Sequence, residues 1–229
     1  MLQPHRCFAS GRKGGGMAGS VITVAQQKGG SGKTTLTANL AIGLRRMGRT
    51  VALIDTDPQG SLGRWFMTRL EHHPAEVEGM DFATSSAWGI TYECRKLTDR
   101  FDVVIIDTPP KADSDLRPAL RTADLVIVPV SMSHLDLWAT ESVLDLARRE
   151  DREALMVMNR TRPGTRLSGE VTEAAQKLHA RIATAQLANR VGYAEAFGHG
   201  LSAAEGRKTP ARDEVEALSA EVADILSNG

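Results

Sequence analysis

The sequence predicts an α/β fold in which a mainly parallel, twisted β-sheet is flanked by helices on both faces. Three observations predict it. Short β-branched runs alternate with longer helical stretches from Val21 onward, which is the pattern of a parallel sheet covered on both sides. A glycine-rich segment joins the first strand to the first helix. Acidic residues follow two later apolar runs, at the strand ends where open α/β sheets bind ligands.

Length and composition fit one domain with a sizeable core. The chain has 229 residues, of which 41% are hydrophobic and 24% charged. Its 28 Lys and Arg residues balance 28 Asp and Glu residues, so contact with nucleic acid would need a local basic patch. Only 4% of the residues are aromatic, which disfavours a stacking platform for single-stranded nucleic acid.

Several features favour a cytoplasmic location. The two cysteines, Cys7 and Cys94, have no metal-ligand spacing and indicate no disulfide framework. No apolar run approaches the roughly 18 residues of a membrane span. The basic N-terminus lacks the apolar region of a secretory signal. We expect no membrane partner.

Residues 1–19 are predicted to be a flexible, glycine-rich lead-in. Met17-Ala18 stands just ahead of the first strand and is an alternative start. The other interpretation is a small basic arm that touches DNA. No linker, repeat or low-complexity block divides residues 20–229, so they are predicted to form a single domain.

The strands are predicted from their β-branched apolar runs. The stronger candidates are Val21–Ala25, Val51–Ile54, Phe101–Ile106, Leu125–Val130 and Leu155–Met158. Weaker candidates lie at Gly79–Ala83 and Arg181–Gln186.

Helical periodicity places helices between these strands and after the last of them. They are predicted at Lys33–Met47, Trp88–Thr98, Leu135–Arg149, Gly169–His179 and Asp213–Leu226. The last has an apolar stripe and an acidic polar face, whereas a helix bound to anionic lipid would have a basic one. It is therefore expected to dock on the domain's own core.

A phosphate-binding loop is predicted between the first strand and the first helix. The segment Gln27–Thr34 fits the G-x-x-x-x-G-K-[ST] pattern, except that Gln27 replaces its first glycine. Backbone N–H groups and the helix N-terminus would bind the phosphates, Lys33 would reach the β- and γ-phosphates, and the Thr34 hydroxyl would join the Mg²⁺ shell. The predicted nucleotide-binding residues of this loop are Gly29, Gly30, Ser31, Gly32, Lys33, Thr34 and Thr35, the last near the α-phosphate.

A second lysine, Lys28, stands five residues before Lys33. The segment K-G-G-x-G-K-T-T resembles the deviant Walker A motif of the ParA/MinD family, which implies a P-loop NTPase fold, ATP and Mg²⁺ as ligands, and ATPase activity. The resemblance implies that Lys28 reaches the partner's nucleotide across a homodimer that forms when ATP is bound. Lys28, Lys33 and Asp57 are then the catalytic residues.

Two acidic segments support this resemblance. Asp55-Thr56-Asp57-Pro58-Gln59 resembles the switch I segment of the family, in which Asp57 would position the attacking water and Asp55 would lie near the metal. Asp107, at the end of an apolar strand, stands where a Walker B aspartate holds Mg²⁺. Each acidic segment alone is a weak turn signal. The phosphate-binding loop and the two acidic segments, in this order, together make a strong signal for the family.

The resemblance covers about residues 20–229. Asn159 stands where the family reads adenine, and an Asx turn at the strand end is the other interpretation. The segments after Val128 and Ala188 also resemble the family. Since no N-terminal helix-turn-helix is present, the chain resembles a small ParA-like partitioning ATPase.

Other members of the deviant-Walker group fit less well. An iron–sulfur reductase needs cysteines at the dimer axis, a MinD-like protein ends in a basic membrane helix, and a tyrosine-kinase relative carries a tyrosine-rich tail. Two alternatives stay open: a dimeric switch that acts on a division or polarity protein without DNA, and a metabolic ATP-dependent ligase.

Nonspecific double-stranded DNA is the favoured partner. Residues 151–212 contain ten basic and six acidic residues, a net charge of +4 that a dimer would double. The candidate DNA contacts are Arg190, Arg207 and Lys208. The resemblance implies a nucleoid-associated bacterial protein that positions a plasmid, a chromosome or a protein cluster, with a ParB-like or other cargo adaptor stimulating hydrolysis.

Overall fold

The computed structural model describes residues 18–110, 113–162 and 164–228. Its single sheet contains eight strands. They are β1 (Ser20–Val24), β2 (Val51–Asp55), β3 (Met80–Thr84), β4 (Val103–Asp107), β5 (Leu125–Ser131), β6 (Glu153–Thr161), β7 (Arg181–Ile182) and β8 (Leu187–Ala188).

In the described ranges, six α-helices and a short 3₁₀ helix at Pro74–Val77 lie between these strands, and two further α-helices follow β8. The helices are α1 (Lys33–Arg46), α2 (Ser61–His72), α3 (Ile90–Thr98), α4 (Asp113–Thr122), α5 (His134–Arg149), α6 (Arg166–Gln176), α7 (Val191–Gly198) and α8 (Pro210–Asn228). None of the helices in the described ranges is long and apolar enough to span a membrane.

The strands are ordered β3-β2-β4-β1-β5-β6-β7, and β8 pairs with β6 beyond the end of β7. Every described strand pair is parallel. The predicted α/β fold is therefore confirmed. The carboxyl ends of all strands meet at one edge of the sheet, here called the carboxyl edge.

Alternate residues of each strand are buried on opposite faces. In β4, Val103 and Ile105 pack in the core that includes α1 and α8, whereas Val104 and Ile106 pack against α3 and α4. This two-sided burial explains why the central strands are continuous apolar runs.

The last helix docks on the core, as expected. Val215, Leu218 and Val222 are at most 2% exposed and pack in the cluster that contains α1. At Gly43, the two helices approach so closely that an added Cβ would overlap the Ser219 side chain. A glycine is therefore required at this crossing.

Most of the predicted lead-in, including Met17, lies outside the described residues. Gly19 does not behave as a free linker, because its N–H donates to the carbonyl oxygen of Thr98 at 2.9 Å. The fold therefore includes at least this residue ahead of the predicted boundary.

Three helices were not predicted from the sequence: α2, α4 and α7. In α2, the buried face contains Leu62, Trp65, Phe66 and Arg69. The buried arginine interrupts the apolar periodicity. Helix α4 contains Pro118, a residue type that is disfavoured in helix interiors, and α7 has only eight residues.

Candidate nucleotide-binding site

The connection between β1 and α1, residues 25–32, lies at the carboxyl edge and contains most of the predicted segment Gln27–Thr34, whose last two residues begin α1. Gly30 has φ +78° and Gly32 has φ +87°, conformations that side-chain-bearing residues rarely adopt. A cavity of about 270 Å³ opens over the loop, and its lining includes Lys33, Thr34 and Asp57. The sequence segment therefore forms an open cradle at a helix N-terminus, a natural anion-binding geometry.

Lys33 lies inside this cradle. Its side-chain amine donates to the carbonyl oxygen of Gln26 at 2.9 Å, and the residue is 6% exposed. Burial lowers the pKa of Lys33, and the negative charges of Asp107 and Asp57 oppose that shift. A buried amine at a helix N-terminus, close to two carboxylates, is suited to bind phosphate together with a cation.

Asp107 supplies the strongest test of the Mg²⁺ prediction. It ends β4, is 1% exposed, and its Oδ1 atom accepts a hydrogen bond from the Thr37 hydroxyl at 3.4 Å, while the Thr34 side chain also interacts with the carboxylate. Its Oδ2 atom has no hydrogen-bond partner among the described residues. Burial raises the pKa of Asp107 to about 7. A buried carboxylate oxygen without a partner, beside a threonine hydroxyl, fits a hard divalent cation.

The switch I segment is shaped by Asp55. The Oδ1 atom of Asp55 accepts from the N–H of Asp57 at 2.9 Å, and Oδ2 accepts from the N–H of Gly63 at 3.1 Å. Burial is the main cause that raises the pKa of Asp55. This carboxylate ties β2 to the start of α2. A contact between Asp55 and the metal stays a prediction, as does the role of Asp57, which is half-buried and lines the cavity.

Asn159 connects β6 to the phosphate-binding loop. Its side-chain amide donates to the carbonyl oxygen of Ser31 at 2.8 Å, and its Oδ1 atom accepts from the N–H of Arg160 at 2.9 Å. A Cβ atom on Gly32 would lie 2.6 Å from the Asn159 nitrogen. The sequence did not reveal this bracing contact with the loop. The adenine role of Asn159 stays a prediction.

The second lysine points away from Lys33 and toward α5. The amine of Lys28 lies 2.7 Å from Oδ1 of Asp136, whose side chain is 4% exposed, while that of Lys28 is 38% exposed. Ser133 caps α5 and also hydrogen-bonds to Asp136. The two lysines of the loop therefore have distinct environments, one buried and one at the surface.

The three candidate DNA contacts differ in their surroundings. The guanidinium of Arg190 forms an ion pair with Glu214 at 2.7 Å, so its charge is already compensated. The side chain of Lys208 is 81% exposed and lies 4.0 Å from Asp213, and Arg207 is also exposed. Arg207 and Lys208 precede α8, which begins near the carboxyl edge.

The direction of α8 follows from contacts along it. Glu214, in the second turn, accepts from the N–H of Ala188 in β8. Leu226, in the last turn, lines a cavity with Ser20 and Val103, the first residues of β1 and β4. The helix therefore runs from the carboxyl edge to the opposite edge of the sheet.

The chain matches a family of nucleotide-binding domains and individual proteins of known name. Residues 22–203 match the model of the CobQ/CobB/MinD/ParA nucleotide-binding domain. The chain is 30% identical, over 209 residues, to the "Maintenance of carboxysome distribution protein A" of Halothiobacillus neapolitanus, covering 88% of this chain and 95% of that protein. It is 34% identical over 149 residues to the "Chromosome-partitioning ATPase Soj" of Thermus thermophilus, covering 55% and 59% of the two chains.

Solved structures show the same fold. A Cyanothece McdA variant bound to ATP superposes with a TM-score of 0.75 at 18% identity, covering 93% of this chain and 98% of that one. The cell-division ATPase MinD of Pyrococcus furiosus superposes with a TM-score of 0.76 at 20% identity, covering 90% and 99%. At these identities, the likeness concerns the fold alone.

Proposed function

Because this chain belongs to the CobQ/CobB/MinD/ParA family of nucleotide-binding proteins, whose ParA and MinD members are P-loop ATPases, we propose that it is an Mg·ATP-dependent dimeric ATPase. Two copies would close over two nucleotides and hold nonspecific double-stranded DNA. An adaptor protein would then stimulate hydrolysis and separate the copies. The cycle would position a plasmid, a chromosome or a protein cluster.

One observation carries the proposal: a single loop presents one lysine inward and one outward. Lys33 is buried beneath the cradle, whereas Lys28 is at the surface. The amine of Lys28 hydrogen-bonds to no phosphate-loop carbonyl among the described contacts, but pairs with Asp136 of α5. A nucleotide bound in the same copy needs only Lys33. To reach the nucleotide of a second copy, Lys28 would exchange its contacts with Asp136 and Ser133 for contacts with that phosphate chain.

The chain's own residues would divide the work as follows. Loop N–H groups and Lys33 would bind and orient the phosphates. Thr34 and Asp107 would hold Mg²⁺, which supplies charge neutralisation on the phosphate oxygens when bound. Asp57, at the cavity wall, would position and activate a water molecule for attack on the terminal phosphate. Asp55 would maintain the shape of the segment that carries Asp57.

Lys28→Ala tests the proposal at the residue that carries it. We expect the variant to bind ATP as a monomer with near-normal affinity, because Lys33 and the cradle are intact. It should dimerise with ATP at least tenfold more weakly, since removal of a charge-assisted hydrogen bond costs about 1.5–3 kcal/mol. Light scattering with ATP, ADP or no nucleotide would measure the proportions of monomer and dimer. Normal ATP-dependent dimerisation of Lys28→Ala would contradict the trans role.

Random double-stranded DNA tests the second half of the proposal. Wild-type protein should bind it with ATP, and less with ADP or without nucleotide, and the binding should weaken with salt. ATP-dependent dimerisation without DNA binding would leave the nucleotide switch in place and refute its DNA partner.

An exposed apolar pair favours one alternative, a dimeric switch that acts directly on a protein. Leu135 and Trp138, on the first turns of α5, are 60% and 67% exposed. They flank Asp136, the partner of Lys28, so a protein bound there would contact the region beside the nucleotide. The compensated charge of Arg190 points the same way. The DNA experiment separates the two functions.

A further inference from the structure

Arg160 has three features that the roles assigned above leave unexplained. Its backbone is strained, it lines the nucleotide cavity, and its guanidinium has no acidic partner among the described residues. Its φ is +54°, in the left-handed region. It lines the same cavity as Lys33 and Asp57. We propose that Arg160 is a nucleotide-binding residue whose guanidinium contacts the phosphate chain. This inference rests on the proposed ATP site.

Arg160 has a strained backbone conformation, and its side chain lies beside the loop. A non-glycine residue in this region costs about 1–3 kcal/mol and is kept where its surroundings impose it. The Oδ1 atom of Asn159 accepts from the N–H of Arg160 at 2.9 Å, while the other end of that amide is fixed to Ser31. Asn159 therefore fixes the backbone of Arg160 relative to the phosphate-binding loop.

The guanidinium lies beside the loop glycine that precedes Lys33. A Cβ atom built on Gly32 would lie 3.7 Å from Nε of Arg160. Gly32 caps the N-terminus of α1, where the loop N–H groups converge. A phosphate bound there would be within the reach of an arginine, whose planar fork can donate two parallel hydrogen bonds to phosphate oxygens.

The positive charge of Arg160 is not neutralised by an ion pair with a described carboxylate. No carboxylate in the part of the chain that the structure describes forms an ion pair with it, whereas Arg69, Arg190 and Arg212 each pair with a glutamate. Arg160 is also exposed at the cavity mouth. An anion that enters the cavity would therefore meet an uncompensated cation in addition to Lys33.

Arg160→Gly gives an unusually clean test. Glycine adopts positive φ without strain, so this variant removes the guanidinium while the backbone conformation becomes easier to hold. Its melting temperature should equal or exceed that of the wild type. Arg160→Lys keeps a charge without the fork, and Arg162→Ala, at an exposed arginine two residues away, is the matched control.

Calorimetric titration would measure dissociation constants for ATP, ADP and inorganic tripolyphosphate. We expect Arg160→Gly to weaken ATP and tripolyphosphate alike, by about 10–100-fold. Arg160→Lys should recover part of the loss, and Arg162→Ala should bind like the wild type.

Two results would overturn the inference alone: wild-type affinity in Arg160→Gly, or a loss for ATP with tripolyphosphate unaffected, which would place the arginine on the base. Wild-type protein that binds neither ligand would instead overturn the proposed function, and this inference with it.

Discussion

Among single residues, Asp107 is expected to lower the stability of the nucleotide-free protein and to favour the binding of a cation. Its carboxylate lies at the end of a fully buried strand, with one oxygen unpaired among the described residues. Burial raises its pKa to about 7, so ionising it in the nucleotide-free protein costs free energy. A cation that pairs with this oxygen would remove that cost. The same residue should therefore destabilise the empty fold and stabilise the Mg·ATP complex.

Asp107→Asn should separate these two effects. The folded pKa of about 7 lies above the ordinary value of 3.8, so the native state retains a proton between these pH values. The stability that the protonated carboxyl of Asp107 gives the folded state is complete below the unfolded pKa and is lost as the pH rises through about 7. Asparagine is not subject to this loss. The variant should therefore gain melting temperature over the wild type at pH 8, and less at pH 5.

Calorimetric melting with and without Mg·ATP measures both parts. Asp107→Asn should lose most of the stabilisation that Mg·ATP gives the wild type. Asp99→Asn, at an exposed carboxylate, is the control and should change neither quantity. A nucleotide-free Asp107→Asn variant that melts lower at pH 8 would refute the burial argument.

Asp57 leads to a different expectation, because it is half-buried and its Oδ1 atom accepts from the N–H of Gln59 at 2.9 Å. Asp57→Ala should keep ATP binding and dimer closure but lose water activation. Hydrolysis should fall about 100-fold or more, and the ATP dimer should persist in size-exclusion chromatography. A variant that stays monomeric with ATP and retains full hydrolysis would rule out this role.

At the scale of elements, the sequence predicts best where one face of a helix or both faces of a strand are apolar. The five strong strand candidates all correspond to strands, and α8 docks through its predicted stripe. Helix α2 escaped prediction because Arg69, 0% exposed, occupies a core-facing position and pairs with Glu205 at 2.7 Å. That partner lies far along the chain, so local periodicity cannot reveal it.

The candidate site also contains local motifs, which the sequence reveals, and contacts between distant segments, which it does not. The loop glycines and lysines and the two aspartate segments are local motifs, so their positions could be read from the sequence. The contacts of Lys28 with Asp136 and of Asn159 with Ser31 join distant segments. They depend on strand order, which places β1 beside β5 and brings β6 next to that pair.

The crossing of α1 and α8 gives a prediction at this scale. Gly43→Ala in a free helix would gain stability, because alanine has the higher helix propensity. Here the added Cβ would overlap the Ser219 side chain. We therefore expect Gly43→Ala to lower the free energy of unfolding by about 1–3 kcal/mol.

A double-mutant cycle with Ser219→Gly checks the cause in denaturant titrations. Removing the Ser219 side chain should recover part of the loss, with a coupling energy of about 0.5 kcal/mol or more. Gly169→Ala, in α6, has open space around the added Cβ and serves as the control. Additive effects of the two substitutions would exclude the close crossing as the cause.

For the whole molecule, the balance of charge matters more than any single arginine. The chain has no net charge, so attraction to DNA must come from how its charges are placed. Arg207 and Lys208 stand at the carboxyl-edge end of α8, on the same side of the sheet as the phosphate-binding loop. Arg148 and Arg149 stand at the end of α5, which precedes the first residues of β6 at the opposite edge. In the proposed dimer the copies would meet at the carboxyl edge, which carries the nucleotide site, so we expect the first pair, and not the second, to lie on the side of the sheet that faces the partner.

The double variant Arg207→Ala/Lys208→Ala should therefore weaken DNA binding in the ATP state and flatten its dependence on salt. For every DNA phosphate that the variant no longer neutralises, the slope of log affinity against log salt should fall by about 0.9. ATP-dependent dimerisation should be unchanged, since both side chains lie outside the cradle. Arg148→Ala/Arg149→Ala removes the same charge at the opposite edge and should leave the slope close to that of the wild type. Equal slopes for the two double variants would mean that net charge, rather than this edge of the dimer, governs DNA binding.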